Sequence, residues 1–374
     1  MHTRDPPHRC DPAMTYERAN IAAMTGYTPG EQPADRDVVK LNTNENPYPP
    51  GDAVIQALRQ VDPEQLRRYP DPTARPFREA AAAAHGLDPA NIIATNGGDE
   101  LLRLAVTTFV EPRGVIGYAD PSYSLYPVLA AIHDAKVYRV PLADDWRLPD
   151  DYVAQLKQVD ARLAFIVNPH APTGRLMGVD DLAAIARDFP GVLVIDEAYV
   201  DFADPALEHD AVQLVRSGAF DNVLLLRSLS KGYSLAGLRF GYGIGPATLI
   251  EPMLTKTRDS YNTDVLSQAL ATAAISHRDQ AAETWHAVRA ERARVTQALR
   301  ELGFTTPDSH SNFVLATVPD ATADQGRSVY ASLKAAGIFV RYFDAPRLDD
   351  KLRITIGTAE QNDTLLAALR RLLN

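Results

Sequence analysis

The chain has 374 residues, 45% hydrophobic and 7% aromatic, enough for a large core and more than one domain. Its 38 Lys and Arg against 48 Asp and Glu leave a net charge of -10 with no long basic run, which argues against nucleic acid as a partner but allows a local basic pocket for a small anion. The single cysteine, Cys10, excludes an internal disulfide and a cysteine-based metal site and fits a reducing cytoplasm, and no run is apolar for long enough to span a membrane.

Residues 1 to about 25 begin rich in Pro, His and charge, lack the apolar centre of a signal peptide, and read as an arm with no structure of its own. Val38 to Asn42 is a short apolar run. It ends in Thr43-Asn-Glu-Asn-Pro-Tyr-Pro-Pro50, whose prolines predict a fixed loop with Tyr48 projecting from it. Residues 52–60 read as a helix with Asp52 at its N-cap. Arg67-Arg-Tyr-Pro-Asp-Pro72 is a second proline-fixed turn with Tyr69 at its crest, and an Ala-rich helix follows over 75–85.

From Asn91 short strands alternate with helices. Strands are expected over 91–95, 115–119, 136–140, 163–168, 192–196, 223–228 and 240–244, and helices over 100–110, 125–133, 151–159 and 180–188. Continuous apolar strands separated by helices predict an α/β fold: a mainly parallel seven-stranded sheet covered by helices on both faces. Residues 264–303 suit a helix throughout, with a break near Ser276, and read as a bridge between domains. Strands over 312–318, 337–342 and 352–357 then alternate with helices over 323–336 and 359–373, a smaller C-terminal α+β unit. The expected division is an arm to residue 25, a large domain over 38–275 and a small domain over 276–374, with residues 26–45 packing near the small one.

Ligands in such sheets bind beyond the carboxyl ends of the strands. The chemistry-bearing residues sit there. Asn96-Gly-Gly-Asp-Glu100 puts two glycines before a helix, where backbone N–H groups can take a phosphate. Asp120-Pro-Ser-Tyr123 follows the second strand, Asn168-Pro-His-Ala-Pro-Thr-Gly174 the fourth and Asp196-Glu-Ala-Tyr199 the fifth. Taken singly, Tyr123 is also compatible with core packing and Asn168 with a turn. Asp196 ends the buried run Val-Leu-Val-Ile and needs a cationic partner there, which a protonated pyridine nitrogen would be. After the sixth strand, Arg227-Ser-Leu-Ser-Lys-Gly-Tyr-Ser-Leu-Ala-Gly-Leu-Arg239 sets one lysine among hydroxyls and one arginine beyond them. Alone, Lys231 is equally a solvated loop lysine. Beside a hydroxyl and guanidinium cup for phosphate, it is the amine that pyridoxal phosphate requires.

In this order, and with Leu352-Arg-Ile-Thr-Ile-Gly357, the motifs resemble those of the fold-type I pyridoxal-phosphate aminotransferases over residues 38–372. Within them the chain is most similar to the histidinol-phosphate aminotransferases. The resemblance implies pyridoxal 5'-phosphate as cofactor. It makes Lys231 the amine that joins its aldehyde and later carries the substrate proton, and Asp196 the partner of its ring nitrogen. Asn168 and Tyr199 are implied at its phenolic oxygen and Tyr123 on its face. Gly98, Asp99, Ser228, Ser230 and Arg239 are implied around its phosphate. Tyr69 is implied at the phosphate of a neighbouring subunit, hence a homodimer with shared sites.

For the substrates, a small amino donor and a 2-oxo acid, the resemblance implies Arg353 at the carboxylate, with Arg341 as a second anion-binding arginine and Asn46 and Tyr48 lining the pocket. Arg341 is equally compatible with a salt-bridged surface position. The chain departs from the family pattern at His170 and Ala171, where two asparagines are usual, and at Tyr342 and Phe343, which predict a more aromatic pocket. The implied reaction transfers the amino group of L-histidinol phosphate to 2-oxoglutarate. An aromatic amino-acid substrate, decarboxylation of a phosphorylated amino acid and a regulatory protein that merely binds the cofactor are the alternatives. A Rossmann dehydrogenase is disfavoured because no G-x-G-x-x-G follows the first strand.

Overall fold

The computed structural model describes residues 16–34 and 37–373; Cys10 and residues 1–15 of the arm lie outside the described residues. Two sheets organise the chain. In the large one, β2 (Ile92–Thr95), β3 (Val115–Asp120), β4 (Lys136–Pro141), β5 (Ala161–Val167), β6 (Val192–Asp196), β7 (Val223–Ser228) and β8 (Gly241–Ile244) lie in the order β2-β8-β7-β6-β5-β3-β4. Six of these strands run in one direction, and only β8 runs antiparallel, between β7 and β2. The central strands have almost no polar side chain until their last residue. Leu193, Val194, Ile195, Val223, Leu224 and Leu225 have no exposed surface at all, because helices cover both faces.

Those helices are α3 (Arg75–His85), α4 (Gly97–Phe109), α5 (Leu125–Ile132), α6 (Tyr152–Gln158) and α7 (Val179–Asp188). The glycines of β8 let a helix approach closely: a Cβ at Gly241 would stand 2.8 Å from the backbone of Gly97 and Gly98, where α4 begins. Helix α10 (Val265–Ser276) ends one residue before α11 (Arg278–Glu301), the break expected near Ser276.

The small sheet joins β1 (Val39–Leu41), β9 (Phe313–Thr317), β10 (Ile338–Tyr342) and β11 (Lys351–Thr355) in the order β1-β10-β11-β9. Strand β1 pairs parallel to β10, so residues just before the first proline-rich loop belong to the same sheet as the C-terminal strands. Helices α12 (Ala323–Ala335) and α13 (Ala359–Leu373) accompany it.

Two local expectations are corrected. The described end of the arm has structure: Ala19–Ala22 form a helical turn hooked to the end of α5, with Asn20 Nδ2 donating to Ala131 O at 2.8 Å and Arg18 donating to Ile132 O at 2.9 Å. Asp52 is the first residue of its helix rather than the cap; Gly51 holds the cap position, and Gln280 Oε1 accepts from Ala53 N at 2.9 Å. Among the described residues, no helix is long and apolar enough to cross a membrane. None of them form a group of three or more His, Cys, Asp or Glu placed to hold a metal.

Candidate active site

A cavity of about 500 Å³ opens beyond the carboxyl ends of β5, β6 and β7. Its walls include Gly98, Asp99, Tyr123, Asp196, Tyr199, Ser228, Ser230, Lys231, Arg239, Arg341 and Arg353, so eleven residues singled out in the sequence converge on one space.

Lys231 is placed by what happens at its neighbour. The carbonyl of Gly232 accepts from Trp285 Nε1 at 2.6 Å and lies 3.4 Å from Asn46 Nδ2. A Cβ at Gly232 would collide with the Asp201 carboxylate, 2.1 Å away, so only glycine lets the chain pass there. The ammonium donates to Thr43 O at 2.9 Å. Burial, with Arg353 adding to it, lowers the Lys231 pKa to about 8, within reach of a neutral, nucleophilic amine.

Asp196 ends β6, buried. Tyr126 donates to its Oδ2 at 3.0 Å and the Ala198 amide to its Oδ1 at 3.1 Å. Neither donor is charged, and burial pushes the carboxyl up to about 6. The next residue, Glu197, does have a cationic partner: Arg227 on β7 reaches it at 2.8 Å, and a ring nitrogen of His209 lies 3.2 Å from it. This buried cluster ties the end of β6 to the end of β7 and leaves Asp196 as the buried carboxylate facing the cavity.

An anion cradle forms where α4 begins. Gly97 has φ +75, and a Cβ there would lie 2.7 Å from the Arg239 guanidinium. Arg239, itself at φ 58, reaches Ser230 Oγ at 3.4 Å and Asp99 at 3.7 Å. The helix N-terminus, two serines and one guanidinium therefore converge.

Arg353 also lines the cavity, half-buried, with desolvation lowering its pKa; Nη2 donates to Asn42 O at 3.0 Å and the buried Nε has no partner. Its guanidinium lies 5.3 Å from the Phe313 ring centre and 5.5 Å from that of Phe343. Arg341 lines the cavity and lies over Phe343 at 5.2 Å.

Several of the expected residues do not line this cavity. Asn168 is buried but absent from the cavity wall: Oδ1 accepts from Met177 N at 2.7 Å and Nδ2 donates to Met177 O at 3.1 Å, because the chain doubles back after Gly174. Ala171 and Pro172 line the cavity instead. Asn46 and Tyr48 do not line it either. Asn46 is occupied by Gly232, Thr284 and the Tyr48 amide, and Tyr48 packs on the core. Tyr342 turns away to stack on Tyr330 at 5.4 Å, so only Phe343 adds an aromatic wall there. Tyr69 is 80% exposed and stacks on Tyr261 at 4.4 Å, outside the cavity of its own chain.

Other wall residues had not been singled out. Tyr27 closes the cavity edge-on to Tyr123, 6.0 Å between ring centres, and Arg139 on β4 lines it while donating to Tyr118. Asn44 meets Tyr199 there, and Tyr126 stands behind Asp196. Asn44 could have been found as the first asparagine of the proline-rich loop, and Tyr126 as the aromatic three residues after Tyr123. Tyr27 lies in a segment without periodicity and offered no signal.

The model of the family described as "Aminotransferase class I and II" matches residues 36–369. The chain is 44% identical to histidinol-phosphate aminotransferase 1 of Trichormus variabilis, covering 96% of this chain and 99% of that protein. It is 42% identical to the histidinol-phosphate aminotransferase of Citrifermentans bemidjiense, covering 95% and 98%. Among solved structures it resembles that of histidinol-phosphate aminotransferase from Sinorhizobium meliloti in complex with pyridoxal-5'-phosphate, with TM-score 0.88, 26% identity and coverage of 96% and 98%. The mainly parallel sheet, the placing of a lysine, a buried aspartate and an anion cradle beyond its strands, and these likenesses agree: the chain belongs to the class I and II aminotransferases.

Proposed function

We propose that the chain is a pyridoxal-phosphate-dependent transaminase that converts L-histidinol phosphate and 2-oxoglutarate to imidazole-acetol phosphate and L-glutamate, a step of histidine biosynthesis. The observation that carries this is the shared cavity of Lys231, Asp196 and the Arg239 cradle, in a chain more than 40% identical over nearly its full length to proteins named for that activity. The residues fit the cofactor: a buried aspartate without a cationic partner suits a protonated ring nitrogen, and the space at Gly97 beside Arg239 suits a phosphate.

When bound, pyridoxal 5'-phosphate supplies an electron sink for charge developing at the substrate Cα. Asp196 holds the proton on the ring nitrogen. Gly98, Asp99, Ser228, Ser230 and Arg239 hold the phosphate, and Tyr123 covers the ring face. Tyr199 faces the phenolic oxygen. Lys231, partly neutral near pH 8, would serve as the base that takes up and gives back the proton of the substrate Cα. Arg353, with an unpaired Nε, holds the carboxylate of 2-oxoglutarate or glutamate and the phosphate of histidinol phosphate in alternate half-reactions, with Arg341 beside it. Tyr69, exposed on its own chain, reaches the cofactor phosphate of a second copy in a homodimer, which sedimentation at twice the chain mass would check. We place the enzyme in the cytoplasm.

A transamination assay comparing L-histidinol phosphate with phenylalanine and tyrosine tests the substrate. The highest kcat/KM is expected for histidinol phosphate; a higher value for phenylalanine would overturn that assignment and leave the reaction class standing.

A further inference from the structure

The loop 168–174 offers the cavity no side-chain hydrogen-bond donor. Ala171 and Pro172 are its wall residues, and neither has a polar side chain. Asn168 is closed on Met177. His170 is buried away from the cavity wall, with Nδ1 2.8 Å from Thr173 Oγ1 and Nε2 3.1 Å from Pro121 O; burial lowers it to about 4, so the ring is neutral. On this wall the phenol of Tyr199 is left to face the cofactor's phenolic oxygen.

Tyr199 is itself directed. Asn44 Nδ2 donates to its oxygen at 3.1 Å. The carboxamide of Asn44 is oriented by Thr355, whose Oγ1 accepts the Asn44 backbone N–H at 3.0 Å and donates to Asn44 Oδ1, also at 3.0 Å. Asn312 Nδ2 donates to Asn44 O at 2.9 Å, and Asn44 is 1% exposed at φ 58, a left-handed conformation that asparagine tolerates. With its Nδ2 aimed at Tyr199, one lone pair of the phenol is occupied and its O–H is free to donate into the cavity.

We propose that Asn44 is a positioning residue that makes Tyr199 the sole side-chain donor to the cofactor's phenolic oxygen, in place of the carboxamide that the loop at Ala171 lacks. This rests on the cavity's being the pyridoxal-phosphate site. Because Thr355 lies on β11 and Asn312 precedes β9, the small sheet holds a phenol rooted in the large one.

The test is an isosteric reversal. In Asn44→Asp, one carboxylate oxygen still accepts from Thr355 and the other accepts the Tyr199 proton, turning it away from the cavity. The readouts are the dissociation constant of pyridoxal 5'-phosphate and the pH midpoint of the bound cofactor's absorption change. Besides Asn44, the groups around Tyr199 that bear on that midpoint are Arg353, Asp196, Tyr27 and Lys231, whose Nζ lies 6.0 Å from the Tyr199 ring centre. A donor to the phenolic oxygen favours its anionic form, so losing it moves the midpoint upward, by about one pH unit, and weakens cofactor binding about tenfold. Thr355→Val, which frees the carboxamide to flip, should shift both in the same direction by less. In a Tyr199→Phe background neither change should shift them further, and Ala171→Asn should move Asn44→Asp back toward the native values. Native midpoint and affinity in Asn44→Asp, or a full shift persisting without the Tyr199 hydroxyl, would overturn the proposal. Failure of the unaltered chain to bind pyridoxal 5'-phosphate would instead sink the cofactor reading on which it stands.

Discussion

The phenol of Tyr126 donates to Oδ2 of Asp196 at 3.0 Å, deep behind the cavity and stacked at 4.3 Å on Phe165. The carboxylate is oriented by neutral donors alone, which has a consequence for stability. Its folded pKa of about 6 lies above the ordinary 3.8, so the fold favours the protonated form. The penalty is absent at pH values low enough to protonate Asp196 in both states, grows as pH rises through the window between these values, and is complete above it. Two pKa units correspond to at most about 3 kcal/mol.

Asp196→Asn should therefore raise the melting temperature of the cofactor-free protein by a few degrees at pH 7.5 and leave it unchanged near pH 4, while turnover is lost. Thermal melts at the two pH values check this. A lower melting temperature at pH 7.5 would mean that the charged carboxylate stabilises the fold.

Arg353 offers a second separation of function from stability. It is half-buried with its Nε enclosed and unpaired, a cost to the fold unless a ligand completes it. Arg353→Lys should raise the KM for glutamate roughly 10- to 100-fold, the worth of a lost two-point ion pair, with no loss of thermal stability. Equal losses in both would mark a structural arginine.

Gly232 tests how Lys231 is placed. Its added Cβ would meet the Asp201 carboxylate at 2.1 Å, and its carbonyl is held by Trp285. Gly232→Ala should lower the melting temperature and cut kcat by at least about tenfold, since the strain moves the lysine itself. Trp285→Phe, which removes the donor to the Gly232 carbonyl and leaves the glycine, should lower kcat less and in the same direction.

Much of this arrangement was legible in the chain before its coordinates. Buried parallel strands carry unbroken apolar runs, so β6 and β7 could be placed to the residue, and with them Asp196 at one carboxyl end and Lys231 beyond the other. Loop side chains were harder, because their direction is set by backbone they meet only in three dimensions. Asn168 turns to Met177 and Asn46 to Gly232, and neither target is visible in a motif. Tyr199 was found, but its director Asn44 was not, since the bond joins residues 155 apart in the chain. The segment carrying Tyr27 has no period to read, yet it closes the cavity over Tyr123.

The central claim is that one lysine, held at pKa about 8 in a cavity it shares with a buried aspartate, binds the cofactor covalently. Borohydride reduction of the protein loaded with pyridoxal 5'-phosphate, followed by peptide mass analysis, reads this directly. The account predicts a single reduced adduct on the peptide containing Lys231 and none in Lys231→Ala. An adduct on another lysine, or one of equal yield in the Lys231→Ala protein, would contradict it.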